Sequence, residues 1–463
     1  MPRYQSIVLL CTSLFSWIVL SLTQKHTMVV HTSHGPISGT QEIALGKHIV
    51  SFLNVQYGKA PVGQLRFSPP QEPDSWKETR NCTELALACY QLKDKTIPGF
   101  EGTEMWNANT RLAEDCLNLN LWAPVDAVNV PVLVWIFGGG YYYGSPSLEL
   151  YRGDYIAAYG NVIVVNINYR LGPNIRLFGG DPSKVTIFGE SAGAASVSLH
   201  LAAPGSWKYF RYAIMQSGAF TSSWASRPKE KLKETSMTLA EMLNCRRGTV
   251  SETLRCMREV DADKVQQTSE KLVADFLSSS FTPVSEDKNF LQQNLDDIVK
   301  QGRFKRTSVI IGTNADEGSF WLPTYFPNWF NSTSDGKVSY VEFMRSLRVA
   351  FKWLPEDVRR MIASHFIHNK LELLSADASS LARFPFIYRD ALSSIIGDHY
   401  FVCNIFTERS TANPWPKWMG VMHGYEIEYV FGMPLRHPEL YTKEENEFSK
   451  SIMDYWVSFA RNG

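Results

Sequence analysis

The chain has 463 residues, 44% of them hydrophobic and 20% charged, with 46 basic against 46 acidic side chains. This is an ordinary globular composition with zero formal net charge, and it gives neither the basic excess of a nucleic-acid binder nor a basic run for a membrane surface. Length alone suggests about three domains, but α/β folds run far longer as one unit.

Residues 1–5 carry one arginine and residues 7–22 are almost wholly apolar. A short apolar run after a basic start predicts a secretory signal peptide over residues 1–22, the alternative being an N-terminal membrane anchor. No later stretch is long and apolar enough to span a bilayer. One domain is then expected over residues 23–463. Of seven cysteines, Cys11 would leave with the signal. Cys82, Cys89, Cys116, Cys245, Cys256 and Cys403 form no metal-ligand spacing, so disulfides and a secreted, extracellular location are expected and no metal. Asn81-Cys82-Thr83 and Asn331-Ser332-Thr333 are glycosylation acceptors in that setting.

Residues 29–40 and 49–57 alternate like strands of an N-terminal hairpin or small sheet. Prolines 61, 69, 70 and 73 enforce a loop. A bridge between Cys89 and Cys116 would close a loop worth ~3–4 kcal/mol on the entropic account. Strands are predicted at 117–123, 130–137, 161–169, 184–188, 212–216 and 308–312. Helices are predicted at 229–243, 252–259, 340–347, 355–368 and 443–460. The alternation argues for a mostly parallel α/β sheet with helices on both faces. Two places break the pattern. Residues 170–183 are bracketed by Pro and Gly and too short for a packing helix, although parallel neighbours need a crossover of a dozen residues or more. Residues 406–415 pass abruptly into a Pro/Trp loop.

The predicted strand at 184–188 runs into Gly189-Glu190-Ser191-Ala192-Gly193 and a small-residue helical run. Gly-x-Ser-x-Gly between strand and helix is the setting of a nucleophile elbow, in which Ser191 stands on a strained turn. The alternative is a plain Gly/Ser turn. A serine needs a base and the base a carboxylate, in the chain order Ser, Asp/Glu, His for an α/β-hydrolase. Glu317, just past the strand at 308–312, is the candidate acid, with Asp316 the alternative. Of His365, His368, His399, His423 and His437, His423 lies in a Gly-flanked loop among apolar residues and is the candidate base, a choice that rests mostly on the resemblance below. Gly138-Gly139-Gly140, after a buried strand, can bring backbone amides to a substrate oxygen, and with the Ala192 amide they form a candidate oxyanion hole.

At these residues the sequence resembles the cholinesterases, within the type-B carboxylesterase family, in blocks over most of the mature chain. Residues 188–197 are similar to the family's serine block and residues 419–432 to its histidine block. The resemblance implies an α/β-hydrolase fold and a triad of Ser191, Glu317 and His423. It implies oxyanion donors Gly139, Gly140 and Ala192. The substrate would be a small ester with a quaternary ammonium group, with Trp106 gripping the cation, Glu190 supporting it and Phe320 flanking it. Asp94, Tyr142 and Tyr151 would stand on the rim. Disulfides Cys89–Cys116 and Cys245–Cys256 are implied, and no cofactor. The departures are a helix and strand piece absent near residues 170–178, a strand absent before Trp415, an extra Cys82, and a stop at Gly463 ahead of the family's oligomerisation helix and the partner of Cys403. The fold is thus expected to be incomplete relative to the family. Leu277 and Ser279, where acetylcholinesterases carry paired phenylalanines, imply a roomier acyl pocket. The alternatives are a general carboxylesterase, a non-catalytic adhesion relative, and a spliced or incomplete chain without activity.

Overall fold

The computed structural model describes residues 27–169, 177–272, 275–286, 290–291, 293–331, 333–375, 385–401, 404–406 and 412–463. The leader read over 1–22, with Cys11, and Cys403 lie outside these residues. So do residues 170–176 of the short crossover and residues 407–411 of the Pro/Trp loop.

Ten strands lie along one sheet. They are β1 Thr27–His31, β2 Pro36–Ala44, β3 Lys47–Gln56, β4 Asn118–Pro124, β5 Val130–Ile136, β6 Ile163–Ile167, β7 Gly180–Glu190, β8 Tyr212–Gln216, β9 Val309–Asn314 and β10 Asn404–Phe406. Their spatial order is β1-β2-β3-β4-β6-β5-β7-β8-β9-β10, and a two-residue strand, Arg80–Asn81, pairs with β2. Pairing is antiparallel from β1 to β6 and parallel from β6 to β10. The hairpins expected at the N-terminus therefore form one edge of the main sheet rather than a separate small one. The stretch 29–40 is two strands, not one, because the chain reverses where Thr32 N–H donates to Gly35 O at 3.0 Å.

Every residue of β5 is buried, as an apolar strand covered on both faces must be. The period of two sends Leu133 and Trp135 to one face and Val132, Val134 and Ile136 to the other. On the first face Trp135 meets Phe188 and Phe431 at ring-centroid distances of 4.8 and 5.2 Å. Helices α1 Asp154–Gly160 and α10 Lys443–Asn462 cover it. α10 starts on a Thr442/Glu445 capping box and buries Ile452, Met453, Trp456, Val457 and Ala460 on one stripe. α2 Ala192–Ala202 packs on the other face.

The remaining α-helices of six residues or more among the described residues are α3 Lys229–Met242, α4 Val250–Glu259, α5 Ala262–Ser269, α6 Leu295–Lys300, α7 Tyr340–Ala350, α8 Glu356–Ser375 and α9 Ile387–Tyr400. α9 is not among the predicted helices, although Ile387, Ala391, Leu392, Ile395 and Ile396 recur at helical spacing and are buried. Gly318 allows the chain after β9 to approach it closely: a Cβ on Gly318 would lie 1.9 Å from Ser393 O and 2.7 Å from Gly397 N.

β6 and β7 flank β5, so the chain must cross it between them. Residues 170–176 of that crossover, where the sequence led one to expect no packing helix, lie outside the described residues. Phe178 lies at its end, 5.2 Å from the Phe52 ring. The strand expected to be absent before Trp415 is present as β10. It is only three residues long, parallel to β9, and too short to register as a strand pattern. Among the described residues no helix is long and apolar enough to cross a membrane.

Candidate active site

β7 ends at Glu190, α2 begins at Ala192, and Ser191 is the turn between them, at φ 54° and ψ −120°. That conformation is costly for a residue with a side chain and persists only where the surroundings impose it. Two contacts impose it here. A Cβ on Gly193 would lie 1.9 Å from Ile136 O, so α2 can start this close to β5 only with glycine there. The Ser191 N–H donates to Gln216 O at 2.8 Å, tying the turn to the end of β8.

Gly138–Gly140 follow β5 and lie against this turn, since a Cβ on Gly138 would be 3.0 Å from the Ser191 Cβ. Gly139 has φ 106°, and its Cβ position lies 2.2 Å from Tyr143 O, which excludes any side chain. The Gly139 and Gly140 amides donate in none of the described hydrogen bonds. The Ala192 N–H opens α2, where first-turn amides have no partner inside the helix.

Beyond β9 the chain turns so that Glu317 is buried. Its Oε1 accepts from the Asn314 N–H at 2.7 Å and from the Ser217 hydroxyl, and its Oε2 lies 2.5 Å from His423 Nδ1. Asp316 has a different task. Its Oδ2 accepts the Val421 N–H at 3.0 Å and its own N–H donates to Val421 O at 3.0 Å, pinning the loop that carries His423. Of the two acids the sequence offered, the geometry gives Glu317 to the imidazole.

His423 is buried and shares one cleft with Ser191. Its Nε2 lies 3.0 Å from Glu190 Oε1 but has no aligned hydrogen-bond partner, the Ser191 hydroxyl included. The imidazole is thus set between two carboxylates and has still to turn to the serine. Burial works against the imidazolium, but Glu190 and Glu317 outweigh it and hold the His423 pKa well above the usual histidine range. Burial raises the Glu190 pKa, against the pull of His423. The other histidines stay away from the cleft. His365 and His368 bond Asn369 and Glu372 along α8, and His399 is exposed on α9 against Phe351.

The cleft encloses about 780 Å³, part of it open to solvent, and Trp106, Glu190, Phe320, Tyr142 and Tyr151 line it with Ser191. A Cβ on Gly424 would lie 3.1 Å from the Trp106 ring and 3.7 Å from Glu190 Oε1, so indole, carboxylate and the His423 loop meet at one point. The Cys89–Cys116 disulfide closes the loop that carries Trp106, and Cys245–Cys256 is formed as well. Asp94 is not brought to the cleft wall. Its N–H donates to Asn107 Oδ1 at 2.7 Å, and its Oδ1 accepts the Thr96 N–H at 2.8 Å. Leu277 and Ser279 do line the cleft, with Trp224, Tyr325 and Phe401.

Sequence reasoning missed the polar layer beneath. Glu426 is buried and accepts from Gln216 Nε2 at 2.9 Å and from Asn314 Nδ2 at 2.6 Å. Burial, then the charge of Glu190, push its carboxyl up to about 7. The signal was faint: Glu426 falls within the histidine block, but its partners come from the ends of β8 and β9.

A model of the carboxylesterase family matches residues 26–174 and 173–463. The chain belongs to the carboxylesterase family. It is thereby a serine carboxylic ester hydrolase by kinship, and its α/β-hydrolase sheet is the one described above. The match breaks in two at the short crossover. The chain is 37% identical over 501 residues to "Acetylcholinesterase 4" of Caenorhabditis briggsae, covering 95% of this chain and 82% of that protein. It is 35% identical over 509 residues to "Cholinesterase" of Mus musculus, covering 98% of this chain and 82% of that one. Both aligned lengths exceed the 463 residues here, so each relative carries residues with no counterpart in this carboxylesterase.

Proposed function

We propose that this carboxylesterase hydrolyses choline-type esters through an acyl-enzyme on Ser191. The observation that carries the reading is the meeting of Trp106 and Glu190 beside Ser191 in one cleft. An indole face and a carboxylate suit a quaternary ammonium, which gains about 2 kcal/mol or more over a desolvated Trp. The names of the two relatives support the same substrate class. His423, turned from Glu190 to Ser191, takes the hydroxyl proton as Oγ attacks the ester carbonyl. The Gly139, Gly140 and Ala192 amides receive the oxyanion, and His423 returns the proton to the departing alcohol. Water activated by the same imidazole then releases the acid. Glu317 holds Nδ1 protonated throughout. Leu277 and Ser279 leave room for acyl groups longer than acetyl. The two disulfides and the exposed Asn81 support a secreted protein.

The test compares a choline ester with its uncharged carbon isostere. Trp106→Ala should lower kcat/KM for the choline ester by more than about tenfold and leave the isostere near wild type. Equal losses on both esters would point to a general carboxylesterase. A second reading, a folded but inactive chain, is favoured by the family match, which divides at the short crossover. In that case Ser191 would stay unlabelled by an organophosphonate that reacts with assembled triads.

A further inference from the structure

The proposed substrate must reach from the oxyanion glycines to Trp106 and Glu190, so a side chain standing between them decides what fits. Four tyrosines, Tyr142, Tyr143, Tyr151 and Tyr325, line the cleft. The Tyr325 hydroxyl accepts the Leu277 N–H at 3.0 Å and so serves the loop of Leu277 and Ser279. Tyr151 is buried with its ring 5.2 Å from Trp135 and 6.0 Å from Phe431. Tyr142 is exposed. Tyr143 is the one that is half-buried and packs on the apolar cluster containing Trp106.

The backbone at Tyr143 is fixed from both sides. Its N–H donates to Gly139 O at 3.2 Å. Next in the chain, Gly144 is held by buried Gln91, whose Oε1 accepts the Gly144 N–H at 2.8 Å and whose Nε2 donates to Gly144 O at 2.7 Å. The ring starts beside the oxyanion loop, because Tyr143 Cδ2 lies 3.2 Å from the position of a Cβ on Gly139. Its phenol end reaches the headgroup carboxylate. Burial, then Tyr142, Asp94 and Glu190, hold the Tyr143 pKa well above the usual tyrosine range, so the ring is neutral and lies in the field of Glu190. One ring thus borders both the glycine that would receive the oxyanion and the carboxylate that meets Trp106.

We propose that Tyr143 is a specificity-determining residue for the headgroup, its ring closing the space beside Trp106 to ammonium groups larger than trimethylammonium. This rests on the choline-ester reading and narrows it. A wall tied to the oxyanion loop cannot step back for a larger ion without moving the amides that receive the oxyanion. An extra methylene against such a wall costs about tenfold or more in kcat/KM. An aromatic wall still attracts a cation, so the limit is one of shape rather than charge. The ring carries the effect, not the hydroxyl.

The full-length protein is assayed with three esters of one acyl group: the choline ester, its triethylammonium homologue and the uncharged carbon isostere. Wild type should prefer the trimethyl over the triethyl ester by about tenfold or more in kcat/KM. Tyr143→Ser, and Tyr143→Val, which keeps an apolar side chain on the cluster, should bring the two ammonium esters within about threefold of each other. Tyr143→Phe should keep the wild-type ratio. Protection of Ser191 from a fluorophosphonate gives the same comparison by binding alone and reports that the site is assembled. Tetramethylammonium should protect wild type at lower concentration than tetraethylammonium, and the two ions should protect Tyr143→Ser alike. Equal use of both ammonium esters by wild type, an unchanged ratio in Ser and Val variants that still label, or loss of the ratio in Tyr143→Phe would each overturn the assignment while leaving the choline reading in place. A wild type that turns over the choline ester no better than its isostere would overturn that reading and this assignment with it.

Discussion

At His423, the base in the proposed mechanism, the charge on two neighbours should set the working pH. With Glu190 and Glu317 both close, the imidazole keeps its proton above the usual histidine range. A base must be free of its proton, so kcat/KM should rise with pH along a limb displaced upward. Glu190→Gln removes one of the carboxylates, and the limb should move to lower pH. Glu317→Gln takes away the acceptor that fixes Nδ1–H and should lower kcat by about 10³–10⁴-fold. A pH–rate profile of the three proteins checks this, each limb reporting the coupled cluster rather than one group. Glu426 allows a stability measurement. Its folded-state pKa is raised from 4.5 to about 7, so the stability it favours is full below 4.5 and is lost as pH rises through about 7. Glu426→Gln should lack that loss in urea titrations across the window. Ser191 could be read from its elbow, whereas Glu317 at a strand end and His423 in a Gly-flanked loop are weak signals alone and were singled out through the serine motif and the family resemblance. Gln216, Asn314 and Glu426 were not legible, because what joins them is tertiary.

Among the elements, the turn that holds His423 depends on Asp316. Asp316→Ala leaves the Val421 N–H without its side-chain acceptor, a cost of about 1–3 kcal/mol when buried. Denaturant unfolding should show that loss, and labelling of Ser191 should slow. Opening the Cys89–Cys116 bridge, with a sequence separation of 27, should cost ~3–4 kcal/mol and weaken choline-ester binding through Trp106 more than it weakens turnover of neutral esters. Strands with unbroken apolar runs, such as β5 and β8, could be read from the chain within a residue or two. α9 went unread although its apolar residues recur at helical spacing, and β10 could not be read, being three residues long and recognisable only through its pairing with β9.

Over the whole molecule, the chain keeps a sheet whose parallel half carries the cleft at the C-terminal ends of its strands. The order β4-β6-β5-β7 is what brings the glycine loop after β5 against the elbow after β7. This arrangement survives although the crossover over β5 is short and the family match divides there. That the crossover was unusual was legible from its length and its Pro and Gly residues; what its loss does to activity is a property of the assembled molecule. The most direct measurement is labelling of the purified protein with a fluorophosphonate, read by mass spectrometry with and without a competing quaternary ammonium. The account predicts stoichiometric modification at Ser191, slowed by the competitor in wild type but hardly in Trp106→Ala. Folded protein that leaves Ser191 unmodified, or labelling indifferent to the cation, would contradict it.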